Sequence, residues 1–298
     1  VKKRLELLRS LQEARGERKT RLELEPEIKV VMLEMLVNNF FGGTVTYDKL
    51  KDRFVPALVY MIDHMVRDTV APRAQAVARK FSGGEKILQQ HQAAFEELTD
   101  IALAGRARGL GLWKEFKSDA SDDALCSNIR VFLAGAMEAT TSFATWAISH
   151  LSRSPEWQDK VYEEVKEMDV YDPDDFTGAP HLNRVLEETL RLTPALYFFP
   201  RKATVDTWVE TSDHRKMMIP KDTHIRLDVW HSNRCEEFWG EDVTGYRADI
   251  FAPERWDVIK EKGLSAKEML HFGFGHGPRF CPGRSLGLLE VGLVVGAI

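Results

Sequence analysis

Phe274-Gly275-His276-Gly277-Pro278-Arg279-Phe280-Cys281-Pro282-Gly283 packs three glycines, two prolines, an arginine and a cysteine into ten residues. The apolar run from Leu286 to Ile298 follows it and reads as a helix. Glycines let a backbone turn tightly and approach a flat object closely. Pro282 cannot donate its backbone nitrogen, so it suits the first turn of that helix. Cys281 is thereby expected at a helix N-terminus, where free N–H groups and partial positive charge stabilise a thiolate. A thiolate on a stiff loop suits one soft metal centre, and haem iron is the candidate. A buried structural thiol would need neither the phenylalanine, the glycines nor the arginine at their positions.

The order Phe-Gly-x-Gly-x-Arg-x-Cys-x-Gly resembles, at every fixed position, the haem-binding loop of the cytochromes P-450. That resemblance implies that Cys281 is the proximal ligand of haem iron. A thiolate there pushes electron density onto the metal and favours O–O cleavage. It implies that Arg279 reaches a haem propionate, for which an arginine fork is suited. Phe274 would pack near the sulfur side of the loop. His276 falls where the family varies, which makes it a surface or propionate-side residue.

The bulk numbers fit this picture. The chain has 298 residues, 44% hydrophobic and 29% charged, long enough for a large core or two modest domains. A net charge of -5 with no basic stripe argues against nucleic acid as a partner. Cys126, Cys235 and Cys281 form no Cys-x-x-Cys pair and no even-numbered framework, so no disulfide dependence is expected. No run approaches the length of a membrane span, and no secretory signal is visible. Val1 begins inside a charged helical pattern and Ile298 stops inside an apolar one. The expectation is a fragment, truncated at both ends.

Leu5, Leu7, Leu8 and Leu11 predict an amphipathic first helix ending near Arg15-Gly16. Glu25-Pro26-Glu27 opens a second, whose apolar residues from Ile28 to Leu36 run to a stop at Phe40-Phe41-Gly42-Gly43. Tyr47 to Asp68 predicts a third, with Phe54, Leu58, Ile62 and Met65 on one face. Pro56 bends it or marks its true first turn. Pro72 bounds that segment, and Ser82-Gly83-Gly84 starts a helix through Leu103. Ser121-Asp122-Asp123 caps the longest pattern, which runs to about His150. Val131, Phe132, Leu133, Phe143, Trp146 and Ile148 surround its middle, so it should be buried. Ser154-Pro155-Glu156 opens a helix through Met168. A loop follows at Asp172-Pro173-Asp174-Asp175 and Gly178-Ala179-Pro180, then a helix from His181 to Leu192. Lys202 to Val209 and Met217 to Ile225 read as short strands around a turn.

Three further segments gain meaning from the resemblance. Glu188 and Arg191 lie three apart on one helical face. With Arg255 of Pro253-Glu254-Arg255-Trp256, they are implied to form a structural triad that fixes the cysteine loop. Arg201 matches a position whose arginine contacts a propionate, or it is an exposed strand cation. Leu196, Tyr197 and Phe198 either line a substrate cavity or pack as ordinary strand residues.

Ala134-Gly135-Ala136-Met137-Glu138-Ala139-Thr140-Thr141-Ser142 resembles the family's oxygen-binding segment, where a small pair precedes an acid and a threonine that relay protons. The spacing is disturbed here. With Glu138 as the acid, the next residue is Ala139 and Thr140 comes one step late. Glu138 and Thr141 share a helical face, whereas Glu138 and Thr140 do not. The distal candidates are Gly135, Glu138 and either Thr140 or Thr141. The plain alternative is helix hydroxyls bonded to the preceding turn.

The expected fold is mainly α with a small β-sheet region, the cytochrome P-450 fold in incomplete form. Residues 1–298 are expected to belong to one haem-thiolate domain. The family's early helices and strands, with a cation that reaches the haem from the distal side, are expected to have no counterpart here, nor are its C-terminal strands. The resemblance implies a monooxygenase with haem b, inserting one atom of dioxygen into a small apolar organic substrate. Its electrons would come from NAD(P)H through a reductase or ferredoxin-type redox partner. A haem-thiolate isomerase, dehydratase or peroxide-driven hydroxylase is the alternative; a non-catalytic haem-binding module or truncated product is a third. The expected location is the cytoplasm, or the cytoplasmic face of the endoplasmic reticulum if a membrane anchor precedes Val1.

Overall fold

The structure, a computed structural model, describes residues 23–115, 121–169, 178–211, 213–265, 269 and 271–298, with Glu6, Ser10 and Glu13 besides. The expected first helix and the Asp172-Pro173-Asp174-Asp175 loop lie outside the described residues.

Pro26 is the third residue of α1 (Leu24–Glu34), inside the first turn, where backbone N–H groups have no helical partner anyway. The chain continues as a π-helical stretch, Met35–Phe40, before Gly42 stops it at φ +73°. A second π stretch, Leu50–Phe54, follows the short helix Tyr47–Lys49, which Thr46 caps through its hydroxyl. It leads into α2 (Val55–Val70). Pro56 offers no N–H to the carbonyl one turn back, and the wider turn ahead of it accommodates that loss. Phe54 and Leu58 are buried as the spacing predicts, but Met65 on the same stripe is exposed. The packing stops at Ile62, the last residue of that stripe to reach the core.

Pro72 does more than bound α2. It opens α3 (Pro72–Ser82), a helix the sequence reading left out. Gly83, left-handed at φ +71°, separates it from α4 (Gly84–Ala107), which runs a turn beyond Leu103. Gly105 of α4 passes so near the Phe41-Gly42 turn that a Cβ there would lie 2.0 Å from the Phe41 carbonyl oxygen. The Ser121 hydroxyl accepts from the Ala124 N–H at 3.4 Å and starts α5 (Asp122–Ser152).

The chain divides into two compact units, Val1–Thr145 with Ile298, and Trp146–Ala297, so the division falls within α5. The first unit is built around Leu33, Leu36, Phe54, Leu98, Leu133 and Met137. Each such side chain contributes about 1.5–3 kcal/mol by leaving water. The expectation that the middle of α5 is buried all round is corrected. Val131 is 74% exposed, because it lies about 200° round the helix from Leu133, and Trp146 is exposed as well.

The second unit opens with α6 (Pro155–Val165), which ends one turn before Met168. Ser154 sits at its N-cap, but its side chain makes no capping bond. Pro180 starts α7 (Pro180–Leu192), one residue ahead of expectation. Each expected strand proves to be split. β1 (Phe198–Lys202) pairs antiparallel with β4 (His224–Asp228), with Arg201 opposite Ile225. Between them β2 (Thr207–Glu210) pairs antiparallel with β3 (Lys216–Ile219), with Trp208 opposite Met218. The break has a local cause. Asp206 accepts from the Lys221 N–H at 2.7 Å, and Asp222 stands at φ +69°, so neither residue continues a ladder. After short helices at Glu236–Trp239 and Glu241–Thr244 come α8 (Arg255–Glu261) and α9 (Arg284–Gly296). Among the described residues no helix is long and apolar enough to cross a membrane.

Candidate haem-thiolate site

The cysteine loop is a set of tight turns. Gly275 (φ +77°) and Gly277 (φ +70°) hold left-handed conformations that other residues adopt only with strain. The Gly275 N–H donates to the Phe272 carbonyl, the Phe280 N–H to Gly277 and the Cys281 N–H to Phe274. The backbone of Cys281 is therefore fixed, and its thiol is free of any disulfide. Pro282 and Gly283 form a turn, and α9 begins at Arg284. This corrects the expectation that Pro282 lies in the helix. Gly283, at φ −89° and ψ 12°, is non-helical, so helical bonding starts from its carbonyl. Cys281 Sγ lies 3.9 Å from where a Cβ on Gly283 would stand, still beside the first turn of α9.

Other predicted residues gather here. A Cβ on Gly275 would touch the Phe199 ring at 3.7 Å, so the loop rests on β1. The Arg201 guanidinium lies 5.8 Å from the same ring. Arg279 sits on the one-turn 3-10 helix Gly277–Arg279 and is exposed, as is His276. Neither Arg201 nor Arg279 forms an ion pair among the described residues; Arg201 donates to the adjacent Pro200 carbonyl. Phe274 is half-buried, with the Arg284 guanidinium 5.7 Å from its ring. Leu196 and Tyr197 are exposed and Phe198 half-buried.

The triad is formed as expected. Glu188, Arg191 and Arg255 are all fully buried. Arg191 grips Glu188 with two parallel bonds, Nε to Oε2 at 2.9 Å and Nη2 to Oε1 at 2.8 Å. Arg255 Nε donates to Oε1 at 3.2 Å, and the Ala252 N–H and Trp256 Nε1 complete the shell. Arg191 also donates to the carbonyls of Asn233, Ala248 and Ile250, and Arg255 to those of Trp239 and Arg247 and to the Thr244 hydroxyl. Burial pushes the Glu188 carboxyl up, but the Arg191 bonds and both positive charges outweigh it and hold it below the ordinary range.

Residues that sequence reasoning missed connect this network to the cysteine loop. His271 packs edge-on against Trp239 and Trp256, at 5.9 and 5.3 Å. Burial pushes its imidazole down to about 4, keeping it neutral. The Phe272 N–H donates to Asn233 Oδ1, and Asn233 also touches the Leu190 carbonyl. Trp256 stood beside Arg255 in the quoted motif; His271 and Asn233 carried no signal.

Glu290, on α9, was missed too. Burial alone lifts its carboxyl from 4.5 to about 7. A raised folded-state pKa means its contribution is intact below pH 4.5 and lost as pH rises through 7. Glu290→Gln should therefore leave stability unchanged at pH 4 and raise it by about 2–3 kcal/mol at pH 8, read from urea midpoints.

Within the first unit, α5 sorts the distal candidates. Gly135 and Ala139 lie on its open face, and Glu138 is part-exposed beside them, its Oε1 3.4 Å from Lys29 Nζ. Lys29 also pairs with Glu25 at 3.0 Å. Thr140 is buried on the opposite side, its hydroxyl donating to the Ala136 carbonyl at 2.7 Å. Thr141 is buried, and its hydroxyl has no hydrogen-bond partner among the described residues.

These residues suit a haem. Among the described residues no group of three or more His, Cys, Asp or Glu side chains could hold a metal ion. A lone thiolate on a glycine cradle instead fits an iron that arrives with its macrocycle's own ligands.

A cytochrome P-450 family model matches residues 111–298. The chain is 32% identical over 95% of its length to the cytochrome P-450 monooxygenase FSL4 of Gibberella zeae, covering 48% of that protein. It is 28% identical over 72% of its length to the 11-oxo-beta-amyrin 30-oxidase of Medicago truncatula, covering 40% of it. Pluviatolide synthase of Sinopodophyllum hexandrum is 30% identical over 54% of the chain, which covers 32% of that enzyme. This chain belongs to the cytochrome P-450 family. It spans 32–48% of the length of these curated relatives.

Proposed function

We propose that the full-length protein is a haem-thiolate monooxygenase. It inserts one atom of dioxygen into an apolar organic substrate, with electrons drawn from NAD(P)H through a separate redox partner. The observation that carries this is Cys281, its backbone locked by the Phe274 carbonyl and its thiol left uncommitted beside α9. Bound haem supplies the activation of dioxygen. The chain supplies the rest. Cys281 would hold the haem iron through its sulfur. Arg201 and Arg279, which form no ion pair among the described residues, would take the propionates. Phe274 and Gly275 shape the loop that carries Cys281.

Glu138 and Thr141 handle protons in this reading, with Gly135 the small residue ahead of them on α5. Thr141 is preferred to Thr140 because its hydroxyl is still free to bond, whereas that of Thr140 is spent on Ala136. Thr141→Val should raise the electrons consumed per product at least several-fold, and Thr140→Val should not, when nicotinamide oxidation and product are counted together. The peroxide-driven reading draws on Ala139, which puts no alcohol directly after Glu138. Labelled dioxygen decides between them. Haem-loaded full-length protein with a reductase and reduced nicotinamide should place one labelled atom in the product. Label appearing only from labelled peroxide would replace the monooxygenase reading.

A further inference from the structure

A cleft of about 520 Å³ opens in the first unit, lined by none of the residues that the haem reading uses. One side is the turn after the first π stretch; the other is the C-terminal part of α4. Ile101, Ala104 and Arg108 stand at i, i+3 and i+7, so α4 presents them on one face. Val45, Ile101, Ala104 and Ala107 supply the apolar walls. Those walls are held from behind. Asn38 grips Val45 twice, its Nδ2 donating to the Val45 carbonyl at 3.0 Å and its Oδ1 accepting from the Val45 N–H at 2.9 Å. Gly43 lets the turn close on α4: a Cβ there would stand 3.0 Å from Ile101 Cγ2. The cleft is thus formed before any ligand arrives, and its volume lies within the roughly 300–1,000 Å³ of small-molecule sites.

Charge selects the occupant. The lining holds two cations, Lys49 and Arg108, and no acid. Arg108 Nε donates to the Ala104 carbonyl at 3.3 Å, and the guanidinium forms no ion pair among the described residues. Lys49 Nζ lies 2.7 Å from Glu97 Oε1, but Glu97 has a second cation, Arg53, whose Nη2 is 2.6 Å from Oε2. Lys49 can therefore turn to a ligand without leaving Glu97 unpaired. The Thr46 oxygen accepts from the Lys49 N–H at 3.4 Å and keeps its own proton to donate. One free guanidinium fork and a shared ammonium match a single negative charge better than a double one. The apolar walls call for a hydrocarbon body, since a bare inorganic anion would leave them wet. We propose that this cleft binds an organic carboxylate with an apolar body. Arg108 and Lys49 take its head, and Ile101 and Ala104 pack against its tail. This inference stands apart from the haem chemistry.

The test locates the ligand, so that an acid entering the haem pocket of the full-length protein does not confuse it. Decanoate bearing a diazirine on its tail is irradiated with the full-length protein, with and without haem. Binding at haem shows separately as a change in the Soret band. Peptide mass spectrometry should find label on residues 101–107 in both samples. Plain decanoate should suppress that label, whereas decanol and acetate at the same concentration should not. Arg108→Gln should weaken the labelling about tenfold, the effect of one hydrogen bond to a charged group. Arg67→Gln, exposed on α2 and outside the cleft, should leave it unchanged. Ala104→Trp fills the cleft and should remove the label. Should that variant fail to fold, Arg108→Gln decides alone, because Arg108 is exposed. No label on residues 101–107 overturns the proposal. So does label that decanol suppresses as well as decanoate does, or label that Arg108→Gln leaves at full strength.

Discussion

Cys281→Ala should abolish the thiolate-type Soret shift of the reduced, carbon monoxide-bound full-length protein, while Cys126→Ala and Cys235→Ala should leave it intact. The effect is all or none because a soft anionic sulfur is what distinguishes this ligation from a nitrogen one. Misfolding is a poor excuse for the loss. The Cys281 side chain takes no part in the bonds that shape its own turn, which run backbone to backbone: its own N–H to Phe274, Phe280 to Gly277 and Gly275 to Phe272. Cys281→His sharpens the experiment, since it should take up haem and give a nitrogen-type spectrum. A thiolate spectrum persisting in Cys281→Ala would remove the assignment of the ligand.

The second large effect is on folding. Glu188→Ala should destabilise the protein by about 3–5 kcal/mol, because it strands the Arg191 and Arg255 guanidinium groups in a site where neither is exposed. A typical domain has only about 5–15 kcal/mol in hand, so most of the variant should be insoluble or without haem. Replacing all three charges together, as Glu188→Leu with Arg191→Met and Arg255→Met, should recover much of the loss, since it is the unpaired charges that cost so much. Urea midpoints of the single and triple variants check this. A mild single variant would mean that water reaches the triad.

The cysteine loop and the triad were legible in the chain because each needs particular residue types at fixed offsets. Gly275 and Gly277 are legible as glycines in a tight loop, and their left-handed φ values bear that out; Glu188–Arg191 is legible from helical spacing. What was not legible depends on which way a side chain turns. Thr140 and Thr141 are chemically alike, and which hydroxyl is spent on the carbonyl of Ala136 shows only in the structure. The π stretches beside Pro56 and Phe40 leave the apolar pattern looking like plain helix. α3 has a proper stripe, but it points outward, so a search for core-facing helices passes over it. His271 owes its place to tryptophans 15 and 32 positions away, which no local pattern reports.

The nesting of the strands has a consequence in time. β2 and β3 are joined through a tight bend in which His214 takes φ +60°, and they need little chain entropy to meet. β1 and β4 enclose them, so their meeting is entropically dear until the inner pair has zipped. Arg201 thus takes its place in the β1–β4 pair late, after the inner ribbon has formed. A change confined to the tip near His214 should then slow the pairing of β1 with β4 while leaving the folded structure the same.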